Sequence, residues 1–333
     1  MTAAARVAPA PMPSVSVIIA TSSRPSALAD TLRSLGAVRI PDGWSVELLL
    51  VENVSQSGAE QLLRTIPDGH FSAVRYFFEP LRGKARALNL VRAQATGDIL
   101  LFTDDDVRFP ANWVERMCEP ILAGKADAVA GGVKLAPHLL RPWMNHTHRA
   151  WLASTADYLS PEAPSEMCGA NMAVDRRVFD RVGGLDIELG PGITGGGEES
   201  LLSWQLREAG FRLMGALDLQ VEHHFDPSRL RYQSWTGAAR GKGRARAYLM
   251  HHWNHEAMKH PWLTGVYHRT KLALRKKLSP GKRPDDEGIA AWELSYLETI
   301  AACEQYRKER LRPRNYVRHG LRKLVPQPQP TAT

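Results

Sequence analysis

Three carboxylates in a row, Asp104-Asp105-Asp106, follow directly on the apolar run Leu100-Leu101-Phe102-Thr103. Acid groups crowded at the end of a buried strand repel one another unless something positive sits among them. A hard divalent cation, Mg2+ or Mn2+, is the natural candidate, because such ions take oxygen ligands and keep positions open for substrate phosphates. Alternation along an extended chain puts Asp104 and Asp106 on one side and Asp105 on the other. A solvated loop that starts the next helix would use the same residues. A second acidic pair, Glu198-Glu199, follows residues 190–197, which hold five glycines and a proline in eight positions. A segment of that composition turns tightly or moves, and its closure can deliver a carboxylate at a helix start to a site. An ordinary acidic helix terminus is the competing reading. His223-His224 closes a strand-like run, and only one of two adjacent strand side chains can face a site. Of the two, His223 is favoured as a third metal ligand over His224, against a purely structural histidine.

The elements that must position these groups are legible in hydrophobic punctuation. Residues 15–20, 46–51, 74–78 and 99–103 are short β-branched or aromatic runs, with helical patterns at 26–35 and 84–95 between them. That alternation predicts βαβ units and an α/β fold with a doubly wound, mostly parallel sheet flanked by helices. Pro25 suits a first helical turn and Gly36 a stop. In such sheets ligands bind beyond the carboxyl ends of the strands. The segments found there are Thr21-Ser22-Ser23-Arg24-Pro25, Glu52-Asn53, and Arg82-Gly83-Lys84 with Asn89 further along the next helix. Singly, each could be a helix start or a surface charge. Further on, 113–122 and 176–182 read as helices, as does 198–209, while 128–133, 172–174 and 213–221 read as strands. Residues 141–158 form a Trp- and His-bearing stretch. From Arg229 the chain reads as helical, broken by a Pro/Gly/charge-rich hinge at 279–288.

Bulk properties bound the partners. The 333 residues are 44% hydrophobic, enough for a large core. Three dispersed cysteines, Cys118, Cys168 and Cys303, form no framework or Cys-based zinc knuckle and suit a reducing, cytoplasmic compartment. The first residues make a poor signal peptide, and no run of about 18 apolar residues predicts a spanning helix. Residues 1–228 hold 21 Lys+Arg against 27 Asp+Glu, whereas residues 229–333 hold 22 against 8. The basic C-terminal third can meet phosphorylated substrates, acidic lipid or nucleic acid, or be a solvated surface. Within it, residues 235–246 form a basic, Gly-rich tract, and 271–278 a weak interfacial helix.

The ordered set of segments resembles the family 2 glycosyltransferases of GT-A fold. It runs from Val15-Ser16-Val17-Ile18-Ile19-Ala20-Thr21 through Arg24-Pro25, Leu50-Val51-Glu52-Asn53 and Gly83-Lys84-Ala85-Arg86-Ala87-Leu88-Asn89 to Ala95-Thr96-Gly97-Asp98-Ile99 and the Asp triplet. Cys168-Gly169-Ala170-Asn171-Met172-Ala173, Gly183-Gly184-Leu185-Asp186 and Gly197-Glu198-Glu199-Ser200 follow. The resemblance implies an inverting, metal-dependent transfer of a sugar from a nucleotide-diphosphate donor to an acceptor hydroxyl. Thr21, Arg24 and Glu52 would border the nucleoside, with Glu52 standing where the family more commonly has Asp. Lys84 and Asn89 would seat base and diphosphate, Asp104 and Asp106 would hold Mn2+ or Mg2+, and Asp105 would lie near the ribose. Glu199 matches the base, one methylene longer than the family's usual Asp, with Glu198 as the fallback. Gly169, Asn171, Trp204 and Arg229 fall on the acceptor or diphosphate side.

The expected organisation is a tail at 1–13, a catalytic domain at 14–228, a basic helical extension at 229–325 and a tail at 326–333. Within the catalytic domain, 14–108 would bind the nucleotide-sugar and 109–228 the acceptor. The acceptor is a saccharide or a lipid-linked species, as in bacterial polysaccharide or glycolipid assembly. An acidic membrane surface on the inner face of the cell membrane is a further partner, and nucleic acid is not expected. The rivals are a nucleotidyltransferase, which would want a Gly-rich loop after the first strand, and a non-enzymatic polyanion binder.

Overall fold

The computed structural model describes residues 12–278 and 281–324, so most of both expected tails and the first two hinge residues lie outside the described residues. Pro13 is tied down, its carbonyl accepting from Ser45 N at 3.0 Å. In chain order the first half comprises β1 (Ser14–Thr21), α1 (Pro25–Leu35), β2 (Ser45–Asn53), α2 (Ala59–Leu62), β3 (Ala73–Glu79), α3 (Lys84–Gln94) and β4 (Ile99–Asp104). There follow β5 (Val107–Arg108), α4 (Trp113–Leu122), β6 (Ala128–Leu135), α5 (His146–Trp151), β7 (Asn171–Asp175), α6 (Arg176–Val182), α7 (Glu198–Glu208) and β8 (Leu213–His223). The basic third supplies α8 (Tyr232–Leu249), α9 (Pro261–Lys277) and α10 (Ala291–Glu309).

The strands form one eight-stranded sheet in the order β3-β2-β1-β4-β7-β6-β8-β5. Strands β1 to β4 are parallel, β7 is antiparallel to both β4 and β6, β8 is parallel to β6, and β5 is antiparallel to β8. Both faces are covered, as a mostly parallel sheet requires. Val15, Val17 and Ile19 of β1 join Leu48 and Leu50 of β2 in a cluster under α1 and α4. The alternate residues Ile18, Leu49, Val51, Leu100 and Phe102 pack against α3, α6 and α7 on the other side. That period of two explains why the strands read as continuous apolar runs.

Three elements escaped the hydrophobic pattern, among them the six-residue helix α5 within the Trp- and His-bearing stretch. Strand β5 has two residues, too few to show alternation, and helix α2 is a single turn. The basic tract at 235–246 lies inside α8, where Trp235 and Ala239 pack with Leu135, Phe225 and Leu294. The C-terminal helices thus share a core with the sheet's far end.

Candidate active site

The carboxyl ends of β1, β2, β4 and β8 meet at one rim. Register fixes the neighbours: Thr21 lies opposite Glu52, Ala20 opposite Asp104, and Val107, just past the triplet, opposite His223. Arg24, held at the start of α1 by Pro25, reaches across the rim. Its guanidinium contacts Asp105 at 2.6 Å and Asp106 at 2.8 Å. Thr21 donates a 2.5 Å hydrogen bond to Asp105. Asp105 is fully buried, and burial pushes its carboxyl up to about 6 against the pull of Arg24. For Asp106 burial also disfavours the charge, but His223 and Arg24 outweigh it and hold that carboxyl low.

Two carboxylate oxygens on this rim are buried without a hydrogen bond, and one of them, Asp105 Oδ1, lies 2.6 Å from Arg24. Asp106 Oδ1 is buried without a hydrogen bond, 3.3 Å from Nε2 of His223. Nδ1 of the same ring donates to the Leu152 carbonyl at 2.9 Å, so Nε2 is the nitrogen that faces the carboxylate oxygen. A proton or a cation can sit between the two.

Across the rim stands Lys84, first residue of α3. Its Nζ lies 2.6 Å from Asp104 and 3.6 Å from Glu199. Burial pulls its pKa down, yet the charges of Asp104, Glu199 and Glu198 overcome that and hold it raised. Glu199 is placed by the segment at 190–197, where Gly190, Gly192, Gly195, Gly196 and Gly197 all have positive φ. The segment is tightly turned and pinned: Pro191 O accepts from Lys84 N, and Thr194 O from Arg244. Upstream, Asp186 accepts from the Tyr248 and Tyr316 hydroxyls at 2.7 Å each and pairs with Lys323 at 2.6 Å. Glu198, beside the base candidate, is buried with Oε2 unpartnered. Burial and the adjacent Glu199 charge push its carboxyl well above the usual range. Gly169 faces this pair, and a Cβ there would collide with Glu199 Oε1 and stand 3.2 Å from Lys84 Nζ.

These groups line one cavity of about 970 Å³, walled by the strand ends, the glycine-rich segment and α8. A model of glycosyl transferase family 2 matches residues 16–183, which include the Asp triplet and Lys84. The chain belongs to that family. The matched stretch ends before Glu198, Glu199 and His223, whose placement is known from the geometry above. A curated relative, the succinoglycan biosynthesis protein ExoM of Rhizobium meliloti, is 31% identical over 121 residues. That match covers 36% of this chain and only 38% of the relative's length. Among solved structures, the mannosyltransferase PcManGT from Pyrobaculum calidifontis, in complex with GDP-Man and Mn2+, superposes with a TM-score of 0.50 at 18% identity over 90% of this chain and 70% of its own. GalNAc-T7 with UDP, GalNAc and Mn2+ does so with a TM-score of 0.51 at 17% identity, over 90% and 56%. At those identities the likeness establishes the GT-A-like fold.

Of the residues expected in a site, Thr21, Arg24, Lys84, Asp104, Asp106, Gly169, Glu198, Glu199, Trp204, His223 and Arg229 all line the cavity. Five others are spent on the scaffold. Asp105 is riveted behind the rim by Thr21 and Arg24. Glu52 is fully buried and accepts from Ser57 and from the Tyr76 hydroxyl at 2.9 Å. Asn89 clamps Leu185 through both its amide atoms, and Asn171 ties Trp113 to Gly132 and Leu219. His224 turns to Glu222 at 2.8 Å, which leaves His223 as the histidine facing the rim. The cavity also recruits Asn53, Arg82, Trp151, Tyr158, Lys242, Arg246 and Glu298. Nothing local in the sequence marks Trp151 or Tyr158 as wall residues. For Lys242 and Arg246 the signal was their place in a basic tract.

Among the described residues, no three His, Cys, Asp or Glu side chains converge tightly enough to hold an ion by themselves. Asp104 leans to Lys84 and Asp106 to Arg24. Asp104, Asp106 and the facing His223 nitrogen are oxygen and nitrogen donors of the kind Mn2+ or Mg2+ takes, and they are the residues here that could hold such an ion. The remaining positions would fall to water and substrate phosphate.

Proposed function

We propose that this chain moves a sugar from a nucleotide-diphosphate donor to an acceptor hydroxyl, with inversion at the anomeric carbon, in the assembly of a bacterial polysaccharide or glycolipid. The observation that carries the reading is Lys84, whose ammonium lies between Asp104 and Glu199, so that a metal-type carboxylate and a base-type carboxylate face each other across one cavity. Asp104, Asp106 and His223 would hold a divalent cation. When bound, that ion supplies the positive charge that neutralises a leaving diphosphate. Lys84, Arg24 and Arg229 add cationic charge on the same side. Glu199, at the start of α7, takes the proton from the attacking hydroxyl. Glu198, whose carboxyl is pushed well above the usual range by burial and the adjacent Glu199 charge, is less suited to that task. Trp204, Trp151 and Tyr158 give the acceptor side flat apolar faces on which a sugar can stack.

The basic C-terminal third fits peripheral association with the inner face of the cell membrane, and a lipid-linked acceptor would gain from it. A thermal-shift panel of nucleotide-sugars with and without Mn2+, followed by turnover with saccharide and lipid-linked acceptors, tests the central reading. Donor-specific, Mn2+-dependent stabilisation and hydrolysis are expected. No donor binding, and no change on Asp106→Ala, would sink it.

A further inference from the structure

Helix α9 is amphipathic in the wrong sense for a surface helix. Its inward stripe is narrow: Pro261 and Gly265 are buried, and Leu272 packs against the C-terminal core cluster. Its polar flank is turned to α10, where Arg269 pairs with Glu304, Lys276 pairs with Glu293 at 2.6 Å, and Arg275 stacks over Trp292 at 4.4 Å. The apolar residues are left facing solvent. Trp262, Leu263, Tyr267 and Leu274 are each more than half exposed, and Leu278 is 88% exposed. At 100° per residue, Leu263, Tyr267, Leu274 and Leu278 fall within one outward sector, with the exposed Lys271 and Lys277 on its two borders.

We propose that this face of α9 docks the protein on an anionic lipid bilayer. The helix contains no Asp or Glu in its 17 residues. It lies in the third of the chain with 22 Lys+Arg against 8 Asp+Glu. Trp and Tyr suit the headgroup level, and lysine stems can run along the apolar stripe while their ammonium groups reach phosphate. A second copy of the chain is a poorer occupant, because its equally basic face would be presented to this one. Among the described residues no helix is long and apolar enough to cross a membrane, so α9 would lie in the plane of the surface. The neighbouring helix α10 contributes Glu298 to the cavity wall, paired with Arg246 of α8 at 3.0 Å. Docking would therefore bring the cavity's C-terminal wall near the headgroups. That last consequence rests on the glycosyl-transfer reading; the docking itself does not.

The test is co-sedimentation of the full chain, without donor, with vesicles of phosphatidylcholine alone and of phosphatidylcholine with equimolar phosphatidylglycerol. Binding to the anionic vesicles only, weakened by salt, is expected. The double variant Leu263→Glu/Leu274→Glu should lose binding by about tenfold or more, given the apolar area and added charge involved. Its melting temperature and donor-induced thermal shift should stay as in the parent. Trp262→Ser/Tyr267→Ser, which removes apolar area without adding charge, should weaken binding in the same direction. Absence of wild-type sedimentation, or equal sedimentation by both variants, overturns the proposal. So does a concentration-dependent dimer that the variants abolish while vesicle binding persists, which would assign the face to a second copy. A chain that binds vesicles but shows no donor-induced shift would leave the docking standing and count against glycosyl transfer.

Discussion

The Asp104-Asp105-Asp106 triplet and the Glu198-Glu199 pair present acid groups from opposite sides of one cavity, but their charge is settled in different ways. Around the triplet, Arg24, Lys84 and His223 approach to 3.3 Å or less, and the buried Oδ1 atoms of Asp105 and Asp106 make no hydrogen bond, the first lying against Arg24 and the second against His223. The Glu pair has Lys84 at 3.6 Å from Glu199, and burial with the adjacent Glu199 charge raises the Glu198 carboxyl well above the usual range. On the proposed reading the first cluster would take a cation and an anionic ligand, and the second would receive a proton at Glu199. The same residue chemistry stands in two settings because the surrounding charge differs.

That contrast can be broken by substitution. Asp106→Ala should have the largest effect, lowering kcat by about 10³-fold or more, since charge stabilisation at the leaving group is worth several kcal/mol. The Mn2+-dependent part of the donor thermal shift should vanish with it, and excess Mn2+ should not restore turnover. Glu199→Gln keeps the shape and removes the base, so kcat should fall by about 10²- to 10³-fold with donor affinity little changed. Equal loss of donor binding in this variant would place Glu199 on the donor side instead.

Gly169→Ala sharpens the geometry of the base. The new methyl group would meet Glu199 Oε1, so about 10-fold or more of turnover should be lost while the melting temperature moves little. Glu198→Gln should have the smallest effect on turnover and a pH-dependent effect on stability. The folded-state pKa of Glu198 is raised, so the folded protein holds a proton that the unfolded chain releases above its ordinary value of about 4.3. The stability that this carboxyl contributes is present below that value and is lost as pH rises towards the folded pKa, by about 1 kcal/mol per pH unit. Thermal melts of Glu198→Gln against the parent should therefore diverge in favour of the variant as pH increases through that window. Melts that stay parallel at every pH would mean that Glu198 is ionised in the fold, which would reopen it as a base.

Much of the site was written in local pattern. Apolar runs ending in polar or acidic residues marked the strand ends, and the parallel arrangement brings those ends to one rim. Thr21, Arg24, Lys84, Asp104, Asp106 and Glu199 were legible for that reason. Asn89 and Asn171 were misleading because residue type does not reveal where an amide's partners lie. Both are held by groups tens of residues away, the Leu185 backbone for one and Trp113, Gly132 and Leu219 for the other. Glu52 is likewise consumed by Ser57 and Tyr76. The C-terminal wall was legible only as charge, since nothing in a basic tract tells which of its side chains turns inward.

What the sequence determined by itself was the doubly wound core, through period-two burial on both faces of its strands, and the acidic and glycine-rich segments that end at the rim. Tertiary structure alone decided the rest. It turned His223 rather than His224 to the rim through the strand's alternation and the Leu152 carbonyl, and it tied Asp105 behind the rim to Thr21 and Arg24 while Asp106 lines the cavity. It also left the apolar face of α9 turned outward. Each of these choices depends on contacts between residues distant in the chain, and such contacts set orientation, burial and pKa, which residue type and spacing do not specify.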